Sequence, residues 1–416
     1  MDEKNKRRLA ELALKVGVDI QKDQCLVVWA GVGNYEYAQI IADTAYQLGA
    51  RFVEIRLMDN ELLKSRIRYS SKENLSYVPR SHIDSGHMMI DESWAYIKIS
   101  NTEESDVLNN VYSDDLSTVE FHRRESLKFL TDKLMRHHFP WLILAVPGPQ
   151  WAKKVYGLPA DASEADVQEA LRKLEKIYIS ILRLNSDDPI STWKELGKKL
   201  AERARALDTL QIDSLRFRSP NSDLTVGLSP EHIWCGGPAR LPDGRYHEPN
   251  LPSEEVFTAP DFRRTEGIIH ILRPVMVMET LVEGVWFRFS EGRVVEFGAS
   301  SGREIIEKFL SLDEGAAFLG EVALVDINSP ISRSDLVFSN ILFDENASCH
   351  IALGAAYPIC LSNGSELTTQ KALKNAGCNV SVAHTDFMIS NDKTDVLAYC
   401  RDGREIHIIT NGKFVM

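Results

Sequence analysis

Residues 25–57, CLVVWAGVGNYEYAQIIADTAYQLGARFVEIRL, decide the fold of the first half of the chain. Cys25 to Ala30 is an unbroken apolar run short enough to be a buried strand. Gly31-Val32-Gly33 turns the chain, and Ala38, Ile41, Ala45 and Leu48 then recur at helical spacing until Gly49 closes the helix. Phe52 to Leu57 resumes a strand. Strand, crossover helix and strand form a unit whose two strands run parallel and need a helix to cover them.

Tyr96 to Ile99 and Trp141 to Val146 read as further buried strands. Two helices follow. Asp161 to Glu164 forms a capping pattern ahead of Val167, Leu171, Leu174 and Tyr178, and Thr192 to Glu195 forms another ahead of Leu196 and Leu200. After about Asp208 the pattern changes to short alternating strands, Leu215 to Arg218 and Leu224 to Val226. A hairpin runs from Val285 to Phe289, turns at Glu291-Gly292 and returns from Val294 to Phe297. A second hairpin turns at Asp402-Gly403, between Val396 to Cys400 and Glu405 to Ile409. The expected organisation is an α/β N-terminal domain with a parallel sheet over 1–207. A strand-rich α+β C-terminal domain covers 208–416.

Composition narrows the partners. The chain has 416 residues, 48 Lys and Arg against 60 Asp and Glu, and a net charge of −12. With no basic block, this disfavours nucleic acid or an anionic membrane surface as partner. Apolar runs such as Trp141 to Val146 are far shorter than the ~20 residues of a membrane span. MDEKNKRRLAELALKVGV reads as a starting helix, with Leu9, Leu12 and Val16 on one face, rather than as a signal peptide. The six cysteines form no Cys-x-x-Cys pair and sit mostly in apolar stretches, which suits free thiols in a reducing cytoplasm.

Two places carry candidate chemistry. Gly31-Val32-Gly33 has the strand-to-helix context of a phosphate-cradling turn, but Glu36 stands where the third glycine belongs, so a plain tight turn is the more economical reading. The other place is the acid and histidine content of the C-terminal half. Val380 to Ile389 reads as a strand on which His384 and Asp386 project to one side, a pair suited to zinc, cobalt or manganese, although alone such a pair is more often a surface hydrogen bond. In Phe343-Asp-Glu-Asn-Ala-Ser-Cys-His350, Glu345 and His350 offer a second oxygen and nitrogen pair; alternatively Asp344 and Asn346 cap a turn and His350 serves core hydrogen bonding. Glu321 begins the apolar run Val322 to Val325. Glu254 and Glu255 lie between prolines in an extended segment and face opposite sides. A carboxylate at the head of an apolar strand has to be solvated, paired or metal-bound.

Taken in order, PNLPSEEVFTAP, GEVALVD, LFDENASCHIALGAAYP and HTDFMIS resemble the M29 family of metallo-aminopeptidases, the aminopeptidase T and PepS type. The similarity extends over the whole chain. It implies two divalent ions (zinc, cobalt, manganese or magnesium) around a bridging water. Glu255, Glu321, Glu345, His350, His384 and Asp386 are the implied ligands, with Glu321 as the bridge and a catalytic participant. Tyr357 matches the family's active-site tyrosine. Ser253 stands where many relatives carry threonine and keeps the hydroxyl. The resemblance further implies peptide substrates with a free N-terminus, a homodimer, and an N-terminal domain acting as lid or dimer element.

The implied ligand set agrees with elementary electrostatics. Four carboxylates and two imidazoles carry about −4 against +4 from two dications, which limits the cost of burying the site. Paired ions lower the pKa of a shared water and polarise the scissile carbonyl. The Tyr357 phenol is a suitable oxyanion donor, and Glu254 or Glu321 could shuttle the proton. The competing readings are another dinuclear metallohydrolase and a non-catalytic nucleotide- or peptide-binding protein using the Gly31 to Gly33 turn. The remaining histidines weigh less. His137 and His138 read as residues at a helix C-terminus, and His82 and His87 flank Asp84 in a loop. His122 lies beside Arg123 and Arg124, a group that either binds an anionic carboxylate or forms a solvated surface.

Overall fold

The computed structural model describes residues 1–104, 106–108, 111, 113–278 and 280–416. They form two compact units, Met1–Glu195 with Pro238–Leu251, and Leu196–Gly237 with Pro252–Met416. The first division falls inside the helix Pro189–Thr209, between Glu195 and Leu196. The first unit also recovers a later segment, because Asn250–Leu251 adds a strand to its sheet through pairing with Ile143 and Leu144.

That sheet contains β1 (Cys25–Gly31), β2 (Phe52–Met58), β3 (Ala95–Ile99) and β4 (Trp141–Leu144), in the order β2-β1-β3-β4 followed by Asn250–Leu251, all parallel. β1 is buried along almost its whole length, as its apolar run requires. β2 differs from expectation: it is the sheet edge, and Phe52 is 50% exposed. Glu54 and Arg56 interrupt the apolar residues of this segment, which suits a strand with one side toward solvent rather than a fully buried one.

Helix starts were legible to within a turn. The helix Glu164–Ile181 is capped by Ser163, whose side chain accepts from the Asp166 amide, so the cap lies inside the expected pattern. The helix Pro189–Thr209 starts before Thr192; Asp188 accepts from the Ser191 amide, and the Thr192 hydroxyl bonds back to the Asp188 carbonyl. His82 and His87 lie on the helix Arg80–Asp91 and not in a loop, with His87 stacked on Phe129 at 4.0 Å. No described helix is long and apolar enough to cross a membrane.

The second unit holds an eight-stranded sheet ordered Arg293–Gly298, Trp286–Ser290, Pro260–His270, Ser222–Leu228, Ile212–Ser219, Asp395–Cys400, Glu405–Thr410 and Lys413–Phe414. Both expected hairpins are present, and the first turns through Glu291 (φ 50°) and Gly292 (φ 80°), the left-handed pair a tight hairpin needs. A four-stranded antiparallel sheet, ordered Glu255–Thr258, Leu319–Val325, His350–Gly354 and His384–Met388, is the second element. Phe217, Phe287, Phe289, Val322, Leu324, Ile351, Leu353 and Phe387 share one buried core, in which the Phe287 and Phe387 rings meet edge to face at 5.0 Å.

Candidate metal centre

Strand alternation sorts the small sheet into two faces. Val256, Val322, Leu324, Ile351, Leu353 and Phe387 take the face toward the core. The other face follows from register. Glu255 pairs with Val325, Glu321 with Ala352, Ala352 with Asp386, and Ala323 with His350. Residues two apart share a side, so Glu255, Glu321, His350, His384 and Asp386 all belong to it. The intervening positions on this face include Ala323 and Ala352, whose small side chains leave room above the sheet.

Glu345 comes from outside the sheet, on the single turn Glu345–Ala347 that follows the short helix Ile341–Asp344. Asp344 anchors that helix by accepting the Phe338 and Asn340 amides at 2.7 and 3.1 Å. Tyr357 follows the strand His350–Gly354 and leads the turn Pro358–Cys360. Its ring lies 4.8 Å from that of His384 and 6.5 Å from that of Phe257. The expected strand from Val380 begins only at His384, since Val380 to Ala383 form loop, but His384 and Asp386 still project together.

The distances describe one cluster. His350 Nε2 lies 3.2 Å from Glu255 Oε2, 3.6 Å from Glu321 Oε1 and 4.0 Å from Asp386 Oδ1. His384 Nε2 lies 3.8 Å from Glu321 Oε2 and 3.5 Å from Asp386 Oδ1. His384 Nδ1 is bonded to the Ala355 carbonyl at 2.7 Å and His350 Nδ1 to the Ser348 carbonyl at 3.3 Å, so both Nε2 atoms face the acids. That is the arrangement in which the second ring nitrogen fixes the orientation of a ligating imidazole.

Burial makes the charge balance acute. Desolvation raises the pKa of Glu321, opposed by the hydrogen bond from His350. Desolvation and then the charges of Glu255 and Asp386 push Glu345 well up. Burial also works against the charge on Asp386, yet His384 beside it keeps that carboxyl below its ordinary range. Burial opposes protonation of His384, but the charge and hydrogen bond of Asp386 and the charge of Glu321 raise it to about 9. Desolvation and then the surrounding carboxylates raise Tyr357 well above a normal phenol, so the hydroxyl keeps its proton.

These residues fit a divalent ion. Glu255, Glu321 and His350 each place a ligand atom so that all lie within 4.8 Å of one another. Two ligands at ~2.0–2.2 Å from one ion stand at most ~4.4 Å apart, so small side-chain movements would close this set on an ion. Glu255 Oε2 is buried, with His350 Nε2 3.2 Å away as the nitrogen facing it. An unpaired buried carboxylate oxygen is costly unless a cation takes it up.

The Gly31 to Gly33 turn is occupied by the chain itself. A Cβ on Gly33 would lie 2.6 Å from Glu103 Cβ, and one on Gly148 would lie 2.1 Å from Glu103 Oε1. Glu103, which packs against the turn, itself accepts the Gln150 and Trp151 amides at the start of another helix, Pro149–Val155. The other histidines lie elsewhere. His137 follows the helix Lys128–Met135 with Nδ1 3.1 Å from His247 Nε2, and His122 lies beside Arg123 and Arg124 on the helix Ser113–Ser126. Sequence reasoning gave Asp344 and Asn346 only a turn-capping part. Asp344 fills that part, accepting the Phe338 and Asn340 amides, whereas the fully buried Asn346 joins the Glu254 amide to Glu345, a contact that no sequence signal announced.

Comparison with known proteins covers the whole chain. Residues 2–414 match the family model described as thermophilic metalloprotease (M29). Aminopeptidase T of Thermus thermophilus is 33% identical over 414 residues, covering 99% of both chains. Aminopeptidase 2 of Geobacillus stearothermophilus is 34% identical over 412 residues, covering 99% of this chain and 98% of that protein. The solved structure of wild-type AmpT from Thermus thermophilus superposes with a TM-score of 0.89 at 32% identity, covering 100% of each chain.

Proposed function

The chain belongs to the M29 family of thermophilic metalloproteases, and from that membership we propose that it removes the N-terminal residue of short peptides at a pair of divalent ions. It is a metal-dependent aminopeptidase, a hydrolase. The observation that carries the finer reading is the convergence of Glu255, Glu321, His350, His384 and Asp386 on one face of the small sheet, with Glu345 beside them.

In this reading Glu321 lies between the two halves of the site, its oxygens directed one to each imidazole. Glu255 and His350 belong to one half, His384 and Asp386 to the other, and Glu345 completes the set. Two ions held there would lower the pKa of a shared water, polarise the scissile carbonyl and balance the acidic cluster. The chain supplies the rest. The bonds from the Ala355 and Ser348 carbonyls hold both imidazoles in fixed orientation. The protonated Tyr357 hydroxyl donates to the oxygen that gains negative charge as the peptide bond is attacked. A buried carboxylate moves the proton toward the leaving amine; Glu254 and Glu321 are the candidates.

A chromogenic aminoacyl amide tests the activity with and without a chelator. Turnover that chelation abolishes and cobalt or zinc restores supports the reading; turnover indifferent to chelation contradicts it.

A further inference from the structure

Asn346 sits between the two segments that bring acids to the site. It is fully buried. Its Oδ1 accepts the backbone amide of Glu254, the residue before Glu255, at 2.7 Å. Its Nδ2 donates to the Leu342 carbonyl at 3.1 Å and to Glu345 Oε1 at 3.3 Å, and its own carbonyl accepts the Ser329 hydroxyl at 3.3 Å. Both donors and the acceptor of the carboxamide are therefore used, which only an amide of this length achieves.

We propose that Asn346 is a positioning residue that ties the Glu254-Glu255 segment to Glu345, setting the separation at which the two acids meet the metal pair. The two acids are 90 residues apart in sequence and on different elements, a turn and a strand, with no strand pairing between them. The Asn346 amide supplies a neutral donor. An aspartate in its place would keep the acceptor for Glu254 but add another anion beside Glu345. An alanine would leave a buried amide and a carboxylate oxygen without a partner, each costing about 1–3 kcal/mol.

This inference rests on the ligand set proposed above. The test compares wild type with Asn346→Ala, after chelation and dialysis, by calorimetric titration with cobalt(II), by thermal melting of the metal-free protein, and by kcat and KM at rising cobalt. Outer residues that orient ligands typically cost 10–100-fold in metal affinity when removed. The expected result is a loss of that size in cobalt affinity, with KM unchanged and kcat returning to within a few-fold of wild type at saturating cobalt. A lowered melting temperature with wild-type cobalt affinity would overturn the proposal, leaving Asn346 a residue of general stability. Should Asn346→Ala not fold, Asn346→Ser, which keeps a hydroxyl in the same space, carries the same comparison. Wild-type protein that takes up no cobalt would instead contradict the metal centre itself, an outcome separate from the failure of Asn346.

Discussion

Glu321 Oε2 stands 3.8 Å from His384 Nε2, while its other oxygen faces His350 Nε2 at 3.6 Å. A carboxylate with one oxygen toward each of two imidazoles is the geometry of a bridge, and it arises because Glu321 occupies the second strand of the small sheet, next to the histidine-bearing third strand. Replacing Glu321 with alanine is therefore expected to weaken both ions together. Metal content measured after dialysis checks this, and retention of a full complement would remove Glu321 from the bridge.

The Tyr357 ring packs beside His384, and its hydroxyl stays protonated among acids. Tyr357→Phe keeps the packing and deletes only the donor. The expected outcome is a fall in kcat of ~10²-fold with metal content unchanged, the size associated with loss of one oxyanion donor. Steady-state kinetics beside elemental analysis decides it; an unchanged kcat excludes the phenol from the chemistry.

Gly320 lets the Glu321 strand approach its neighbour. A Cβ there would lie 2.2 Å from the Ala355 carbonyl oxygen, the same atom that holds His384 Nδ1 at 2.7 Å. Gly320→Ala is expected to displace that carbonyl and so misorient His384, costing about 1–3 kcal/mol of stability as overpacking does. Denaturant titration and cobalt affinity should both fall. Wild-type stability would show that the strand has slack at this point.

In the first unit, burial pushes His137 down to about 4, and burial with the neighbouring His137 pushes His247 down to about 3. In the unfolded chain both titrate near 6.5. Between 6.5 and about 4 the unfolded state thus binds more protons, so stability is full above 6.5 and falls as the pH drops through that window. The slope is at most about 1.4 kcal/mol per pH unit for each imidazole. Glu248, raised by burial to about 8, has the opposite sign, but it is common to any histidine variant and cancels in comparison. Melting temperature should therefore drop less steeply from pH 7 to pH 5 in the His137→Gln/His247→Gln double variant than in wild type. Equal slopes would contradict the assignment.

Local signals were legible wherever one physical preference dominated. The apolar run Cys25 to Ala30 became the interior strand β1, and Glu291-Gly292 took the positive φ angles its hairpin needs. Non-local pairing was not legible. Glu54 and Arg56 in Phe52 to Leu57 fit its place at the sheet edge, but nothing in Asn250-Leu251 announced a strand returning to the first sheet across a long stretch of chain. The site divides the same way. Alternation put His384 and Asp386 on one side, and the resemblance supplied the remaining candidate ligands; of these Glu255, Glu321 and His350 lie within 4.8 Å of one another. The amide that links Glu254 to Glu345 depends on a contact between segments distant in sequence, and the residue type alone read as a turn cap.

The central claim is that six acidic and imidazole groups hold two ions. Crystals of the cobalt- or zinc-loaded enzyme, with anomalous scattering recorded at the metal edge, test it most directly. The account predicts two peaks ~3.5–4 Å apart, with Glu321 contributing to both, and with Glu255, Glu345, His350, His384 and Asp386 each within ~2.0–2.2 Å of one of them. A single peak, or peaks away from these side chains, would contradict it.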